Sequence, residues 1–71
     1  MFDLARVGKQ IKKYRIAADM TQMELAEKMG ISFQAVSSWE RNETMPDISR
    51  MTELAELFHI TVDELLDYQD K

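Results

Sequence analysis

Residues Thr21–Asn42 read TQMELAEKMGISFQAVSSWERN, and the folding of this stretch decides how the rest of the chain is arranged. Thr21 and Glu24 stand at the spacing of a capping box. The hydroxyl accepts from a first-turn N–H and the carboxylate reaches back to the Thr21 N–H. Met20 and Leu25 hold the two positions of a hydrophobic staple, so a helix is expected over Gln22–Met29. Gly30 follows, where left-handed backbone carries no Cβ penalty. A second helix is expected from Phe33 to about Arg41. Ser32 caps it, Ile31 can staple onto Val36, and Asn42 supplies the next left-handed residue. Three side chains constrain the crossing of these helices. Ala26 lies at the closest approach, Gly30 allows the turn, and Val36 is a stiff branched knob for the gap beside Ala26. Leu25, Met29, Ile31 and Trp39 complete the apolar seam.

Outward from this pair, apolar residues recur with helical period and no stretch alternates as a strand would. A preceding helix is expected over about Leu4–Ala18, with Asp3 as its N-cap. Its stripe is Leu4, Val7, Ile11, Tyr14 and Ala18, and Arg6, Lys9, Lys12 and Lys13 lie opposite. Gly8, mid-helix, weakens it by roughly 1 kcal/mol relative to Ala. A fourth helix follows Met45-Pro46, capped by Asp47 and running to about Phe58, with the stripe Ile48, Met51, Leu54, Ala55 and Phe58. His59 marks its end, as a residue that tolerates positive φ. A short fifth helix is capped by Thr61 with Glu64, stapled by Ile60 and Leu65, and ends near Asp67. The expected fold is all-α, a compact bundle of five short helices forming a single domain over residues 1–71.

Composition narrows the function classes. Seventy-one residues bury only about 60% of the surface exposed by the unfolded chain, which leaves no room for a large active-site cavity. No cysteine is present, and His59 is the sole histidine, so neither a disulfide nor a transition-metal centre is expected. No cofactor is expected either. The paired carboxylates Glu53/Glu56 and Asp63/Glu64 have no nucleophile or cleft beside them and read as solvated faces, so no enzyme activity is expected. The start lacks a signal-peptide pattern and no apolar run approaches the ~20 residues that span a bilayer. A cytoplasmic location is the simplest expectation. Net charge is −4, unevenly spread: residues 1–41 carry seven Lys/Arg against five Asp/Glu, and residues 42–71 two against eight. This asymmetry points weakly to a polar partner on one side and is equally compatible with two solvated surfaces.

Two short helices joined by a tight turn at Gly30-Ile31-Ser32 are the sequence form of a helix-turn-helix, whose second helix enters the major groove of DNA. The chain resembles the Xre/Cro-type helix-turn-helix regulators, the family of phage repressors. The resemblance rests on Thr21-Gln22-x-Glu24-Leu25-Ala26, Gly30, Val36-Ser37-x-Trp39-Glu40-Arg41, Pro46, Leu54-Ala55 and Asp63-Glu64-Leu65-Leu66, in register over about residues 4–67. It implies that Gln22 bonds a DNA phosphate, that Ser32, Phe33, Gln34, Ser37 and Ser38 occupy base-reading positions, and that Arg15 and Glu40 form an internal ion pair.

The residue chemistry agrees. Val36, Trp39 and Glu40 share one face of the second motif helix, and Phe33, Gln34, Ser37, Ser38 and Arg41 the other. A Gln amide matches the adenine edge bidentately, Ser can meet any base, and an aromatic can touch the thymine methyl. Gln34 is the first candidate reader. Arg41 and Asn42 suit phosphates, and the lysine stripe holding Lys9 and Lys13 is either a further phosphate surface or a solvated face. Glu43 departs from the family pattern, since a carboxylate there repels phosphate. Phe33 is unusual at a wet reading position and suits a protein contact equally well. The expected function is a sequence-specific, double-stranded DNA-binding transcriptional regulator, a repressor, acting as a homodimer on a pseudo-palindromic operator. Leu65–Lys71 is the suggested dimer surface. The alternative is a protein-interaction module of the same fold, an antitoxin or control subunit. The acidic C-terminal half could also engage a protein partner.

Overall fold

The computed structural model describes residues 4–67. Five helices follow one another: α1 (Leu4–Ala17), α2 (Gln22–Met29), α3 (Phe33–Glu40), α4 (Ile48–Phe58) and α5 (Val62–Leu66). No strand occurs among the described residues. The expected all-α bundle is therefore the observed fold, with helix ends shifted by a residue at α1, α3 and α5. The expected N-cap Asp3 and the tail 68–71 lie outside the described residues.

Local chemistry starts α2, α3, α4 and α5. Both capping boxes form: the Glu24 N–H donates to Thr21 Oγ1 at 3.0 Å and the Thr21 N–H to Glu24 Oε1 at 2.8 Å. The Thr61–Glu64 box repeats this at 3.1 and 2.9 Å. Ser32 Oγ accepts from the Ala35 N–H and Asp47 Oδ1 from the Arg50 N–H. These bonds satisfy first-turn donors that have no partner within the helix.

The helix ends share one device. After α1, α2, α3 and α4 a residue takes left-handed backbone: Asp19 (φ 59°), Gly30 (φ 68°), Asn42 (φ 59°) and His59 (φ 58°). The next N–H then bonds a carbonyl five residues back, in Met20→Arg15, Ile31→Ala26, Glu43→Ser38 and Ile60→Ala55. This is the Schellman arrangement, in which the residue after the turn usually returns an apolar side chain to its own helix. Met20, Ile31 and Ile60 all pack against the core. Glu43, at the same position after α3, is exposed.

One core gathers Val7, Ile11, Leu25, Ala26, Met29, Val36, Trp39, Met51, Leu54 and Leu65. The crossing of α2 and α3 places small Ala26 and branched Val36 in its interior, both nearly inaccessible to solvent. Tyr14 of α1 stacks on Phe58 of α4 at 5.9 Å between ring centres. Ile48 differs from its expected place on the α4 stripe, being 82% exposed. As the first residue of α4 it lies beyond the level at which Met51 and Leu54 reach the interior. Ala18 is exposed as well, and Arg15 takes the buried place on that side of α1. Leu65, named as part of a dimer surface, is instead wholly buried in the chain's own core. Leu66 packs against that core, and Asp67 is held by Arg6 at 2.7 Å.

Gly8 has a structural reason that helix propensity conceals. A Cβ built there would stand 2.5 Å from the backbone oxygen of Trp39 and 2.6 Å from Oδ1 of Asn42. The residue marks the closest approach of α1 to the end of α3. Propensity alone credits Gly8→Ala with a gain of roughly 1 kcal/mol. Overpacking against a backbone atom costs about 1–3 kcal/mol, because the helix must move as a unit. Gly8→Ala should therefore lower the midpoint of chemical denaturation, and a raised midpoint would contradict this packing.

Candidate nucleic-acid interface

α3 is a two-faced helix. Val36 and Trp39 are buried against α2 and the core. On the other flank Ser32 and Gln34 are exposed, as is Phe33 at 44%, while Ser37 and Ser38 are half-buried. The Ser38 carbonyl also accepts the Glu43 N–H at 2.9 Å, so this serine belongs to the turn that closes the helix. The five reading candidates thus divide into an exposed group at the N-terminal turn and a pair nearer the body.

Arg15 of α1, Glu40 of α3 and Gln22 of α2 meet in one network. The Arg15 guanidinium donates from Nε to Glu40 Oε2 at 2.7 Å and from Nη2 to Oε1 at 3.1 Å. Its Nη1 donates to the Met20 carbonyl at 2.7 Å. Both side chains are shielded, with 11% and 4% of their surface accessible. This fork geometry is the one in which guanidinium and carboxylate match best. Gln22 Nε2 donates to Glu40 Oε1 at 3.0 Å. An amide nitrogen carries two N–H donors, so one N–H is spent on Glu40 and the second can serve an external acceptor. The family resemblance paired Arg15 with Glu40, and that pair is present, while it marked Gln22 separately as a phosphate contact. That Glu40 orients Gln22 emerges only once α2 and α3 are packed.

The end of α3 forms a second cluster. Arg41 Nη2 donates to Glu43 Oε1 at 2.9 Å, and its Nη1 donates to Ser37 Oγ. Both charged groups lie at the surface. The hydrogen bond from Arg41, reinforced by its charge, holds the Glu43 carboxyl below the ordinary glutamate range, and the same contact raises Arg41. Asn42 Oδ1 accepts from the Gly8 N–H at 3.3 Å, so this side chain ties α1 to the turn after α3. No residue pattern signalled that tie, although a glycine inside a helix is itself a hint of close packing. Lys9 and Lys13 are exposed on a different face of α1 from Gly8 and Arg15, the residues that meet α3. Lys9 borders a surface hollow with Arg6, Gln10 and Asp67, and Lys13 lies over the Tyr14 ring at 5.4 Å. The structure therefore brings Gln22, Arg15 and Glu40 together, joins Ser37 to Arg41, and keeps the two lysines apart from both clusters.

A crossing locked by Ala26, Gly30 and Val36, with a polar flank presented by the second helix, defines the helix-turn-helix class. The helix-turn-helix family profile matches residues 11–65, and the chain belongs to the Xre-type helix-turn-helix family of transcriptional regulators. It is 37% identical over 60 residues to the HTH-type transcriptional regulator ImmR of Bacillus subtilis (strain 168), a match covering 84% of this chain and 47% of ImmR. It is 37% identical over 62 residues to the transcriptional regulator SinR of the same organism, covering 86% of this chain and 56% of SinR. The chain thus spans about half the length of these relatives. Among solved structures, the SOS-response transcriptional repressor LexA from Eubacterium rectale superposes with a TM-score of 0.83 at 26% identity, over 96% of this chain and 70% of that one. Among the described residues no helix is long and apolar enough to cross a membrane.

Two measurements check this geometry. Removing one partner of a shielded ion pair strands the other charge, at a cost of about 3–5 kcal/mol. Glu40→Ala should lower unfolding free energy by that order, and an unchanged value would mean the pair contributes nothing. Arg41→Ala should return the Glu43 carboxyl upward in a 13C-detected pH titration, because the lost guanidinium favoured the charged form. The stability this contact contributes is present above the unfolded-state pKa of Glu43 and fades as pH falls through the lower folded-state value.

Proposed function

We propose that the chain is a DNA-binding transcriptional regulator that reads double-stranded DNA in a sequence-specific way and acts as a repressor in the cytoplasm. The observation that carries this is the exposed flank Ser32-Phe33-Gln34 at the start of α3, opposite the buried Val36 and Trp39. In this reading α3 enters the major groove. Gln34 bonds an adenine edge, Ser32, Ser37 and Ser38 meet neighbouring bases, and Phe33 covers a thymine methyl. Phosphate contacts come from Gln22, Arg41 and Asn42, with Lys9 and Lys13 as flanking cations. Gln22 is the best prepared of these, because Glu40 holds its amide in place. Repression is supported by the LexA likeness. A lone module reads few base pairs, so a homodimer on a pseudo-palindrome, with half-sites ~34 Å apart, supplies the affinity.

A second reading, a protein-interaction module such as an antitoxin or control subunit, is favoured by two observations. Phe33 is exposed, and Arg41, the only cation in residues 29–49, is already held by Glu43. The acidic C-terminal half would then face a basic partner.

Titration into duplex DNA at several salt concentrations separates the two. Phosphate contacts make log affinity fall linearly with log salt, by about 0.9 per phosphate neutralised. A flat response would favour the protein-interaction reading. On a duplex recovered by selection, Gln34→Ala should cost roughly 1–3 kcal/mol and leave random-sequence binding nearly unchanged. An equal loss on both duplexes would remove Gln34 as a reader.

A further inference from the structure

Three of the four Schellman turns return an apolar residue to the core, Met20, Ile31 and Ile60. The turn after α3 carries Glu43 at that position instead. An apolar residue there would fold back onto the protein. Glu43 keeps its backbone bond to Ser38 and directs its carboxylate to Arg41, at 2.9 Å. Arg41 in turn donates to the hydroxyl of Ser37, one of the reading candidates. The nearest cations in sequence, Lys28 and Arg50, are outside α3 and its flanking turns. Arg50 is itself occupied, by Glu53 at 2.7 Å and the Met29 carbonyl at 3.3 Å. The other carboxylate of α3, Glu40, is committed to Arg15. The charge that α3 and its closing turn offer to a passing polyanion is therefore set by Arg41 and Glu43 alone, and the pair cancels it.

We propose that Glu43 is a specificity-determining residue, an internal competitor that occupies Arg41 in place of a DNA phosphate until α3 is fully seated on its site. The proposal rests on the DNA-binding reading and deepens it. More than half of each side chain is exposed, 55% for Arg41 and 58% for Glu43. Exposed pairs of this kind are only weakly held, so a phosphate can displace the carboxylate. On arbitrary DNA the base contacts of Gln34 and the serines are missing, α3 is not held in the groove, and Arg41 stays with Glu43. On the cognate site those contacts hold the helix in place, Arg41 exchanges carboxylate for phosphate, and the Ser37 hydroxyl is released toward a base. Sequence-independent attraction arises almost wholly from phosphate neutralisation. Cancelling the one cation of the turn that closes α3 therefore penalises random DNA more than the operator.

The test compares wild type, Glu43→Gln, Arg41→Ala and the double variant on a random-sequence duplex and on a duplex recovered by selection, across a salt series. Glu43→Gln should bind the random duplex about five- to tenfold tighter at low salt, with a salt slope steeper by about 0.9, one phosphate's worth. The selected duplex should gain less, so the ratio of the two affinities falls. In the Arg41→Ala background the same substitution should have no such effect. Glu56→Gln, the same charge change on an exposed position of α4 that is in none of the ion pairs, should leave the salt slope on the random duplex unchanged, since it frees no cation for a phosphate. An equal gain from Glu43→Gln with and without Arg41 would make Glu43 a simple repeller and overturn the proposal, as would the absence of any gain. A normal salt slope in wild type beside an unaltered Glu43→Gln removes this proposal alone. A flat wild-type response on both duplexes removes the DNA-binding reading and this proposal with it.

Discussion

The shielded pair between Arg15 and Glu40 is the contact on which the arrangement of α3 depends. It joins α1 to α3 directly, reaches the Met20 carbonyl in the turn before α2, and takes in α2 through Gln22. Its value lies less in net stability than in direction. Burying two charges costs several kcal/mol of hydration, which their attraction repays only when geometry is good and remaining polar atoms are satisfied. Those conditions hold here: among the described residues no buried side-chain nitrogen or oxygen lacks a partner. An apolar replacement could match the pair in energy but could not orient the Gln22 amide, because it offers no acceptor for the amide N–H.

Around that fixed point the helices are held by close approach rather than by bulk. Gly8 lets α1 lie against the Trp39 carbonyl at the end of α3, and Ala26 of α2 and Val36 of α3 are both buried in the core. The polar flank of α3 lies opposite the buried Val36 and Trp39. Asn42 ends α3 in left-handed backbone and accepts a bond from Gly8, so one residue both closes the helix and anchors it.

Much of the fold was legible in the residues. The capping boxes at Thr21 and Thr61, the caps at Ser32 and Asp47, and the left-handed residues Gly30, Asn42 and His59 are local features. Their hydrogen bonds close within a few residues, so spacing alone identifies them. The reading was weaker where the outcome depended on depth. Ile48 matched the apolar period of α4 yet lies in solvent, and Leu65 looked available for a partner yet is fully buried. A stripe gives the face of a helix and not how far along it the neighbouring helices extend. The candidate site divides in the same way. Residue types and family pattern marked Gln22, Gln34 and Arg41, but which donors were already engaged could not be read, because those bonds join residues from different helices or across a turn.

The linear chain determined five helices, their ends, the tight crossing at Ala26 and Val36, and the polar face of the second motif helix. Most of these follow from contacts among near neighbours in sequence, and the crossing from residue size on two adjacent helices. Tertiary structure decided that Gly8 is a contact point, that Glu40 orients Gln22, and that Leu65 belongs to the core and not to a surface. The physical reason is that steric closeness and the sharing of one carboxylate among three helices depend on distances between remote segments, and these are set only when the whole core packs at once.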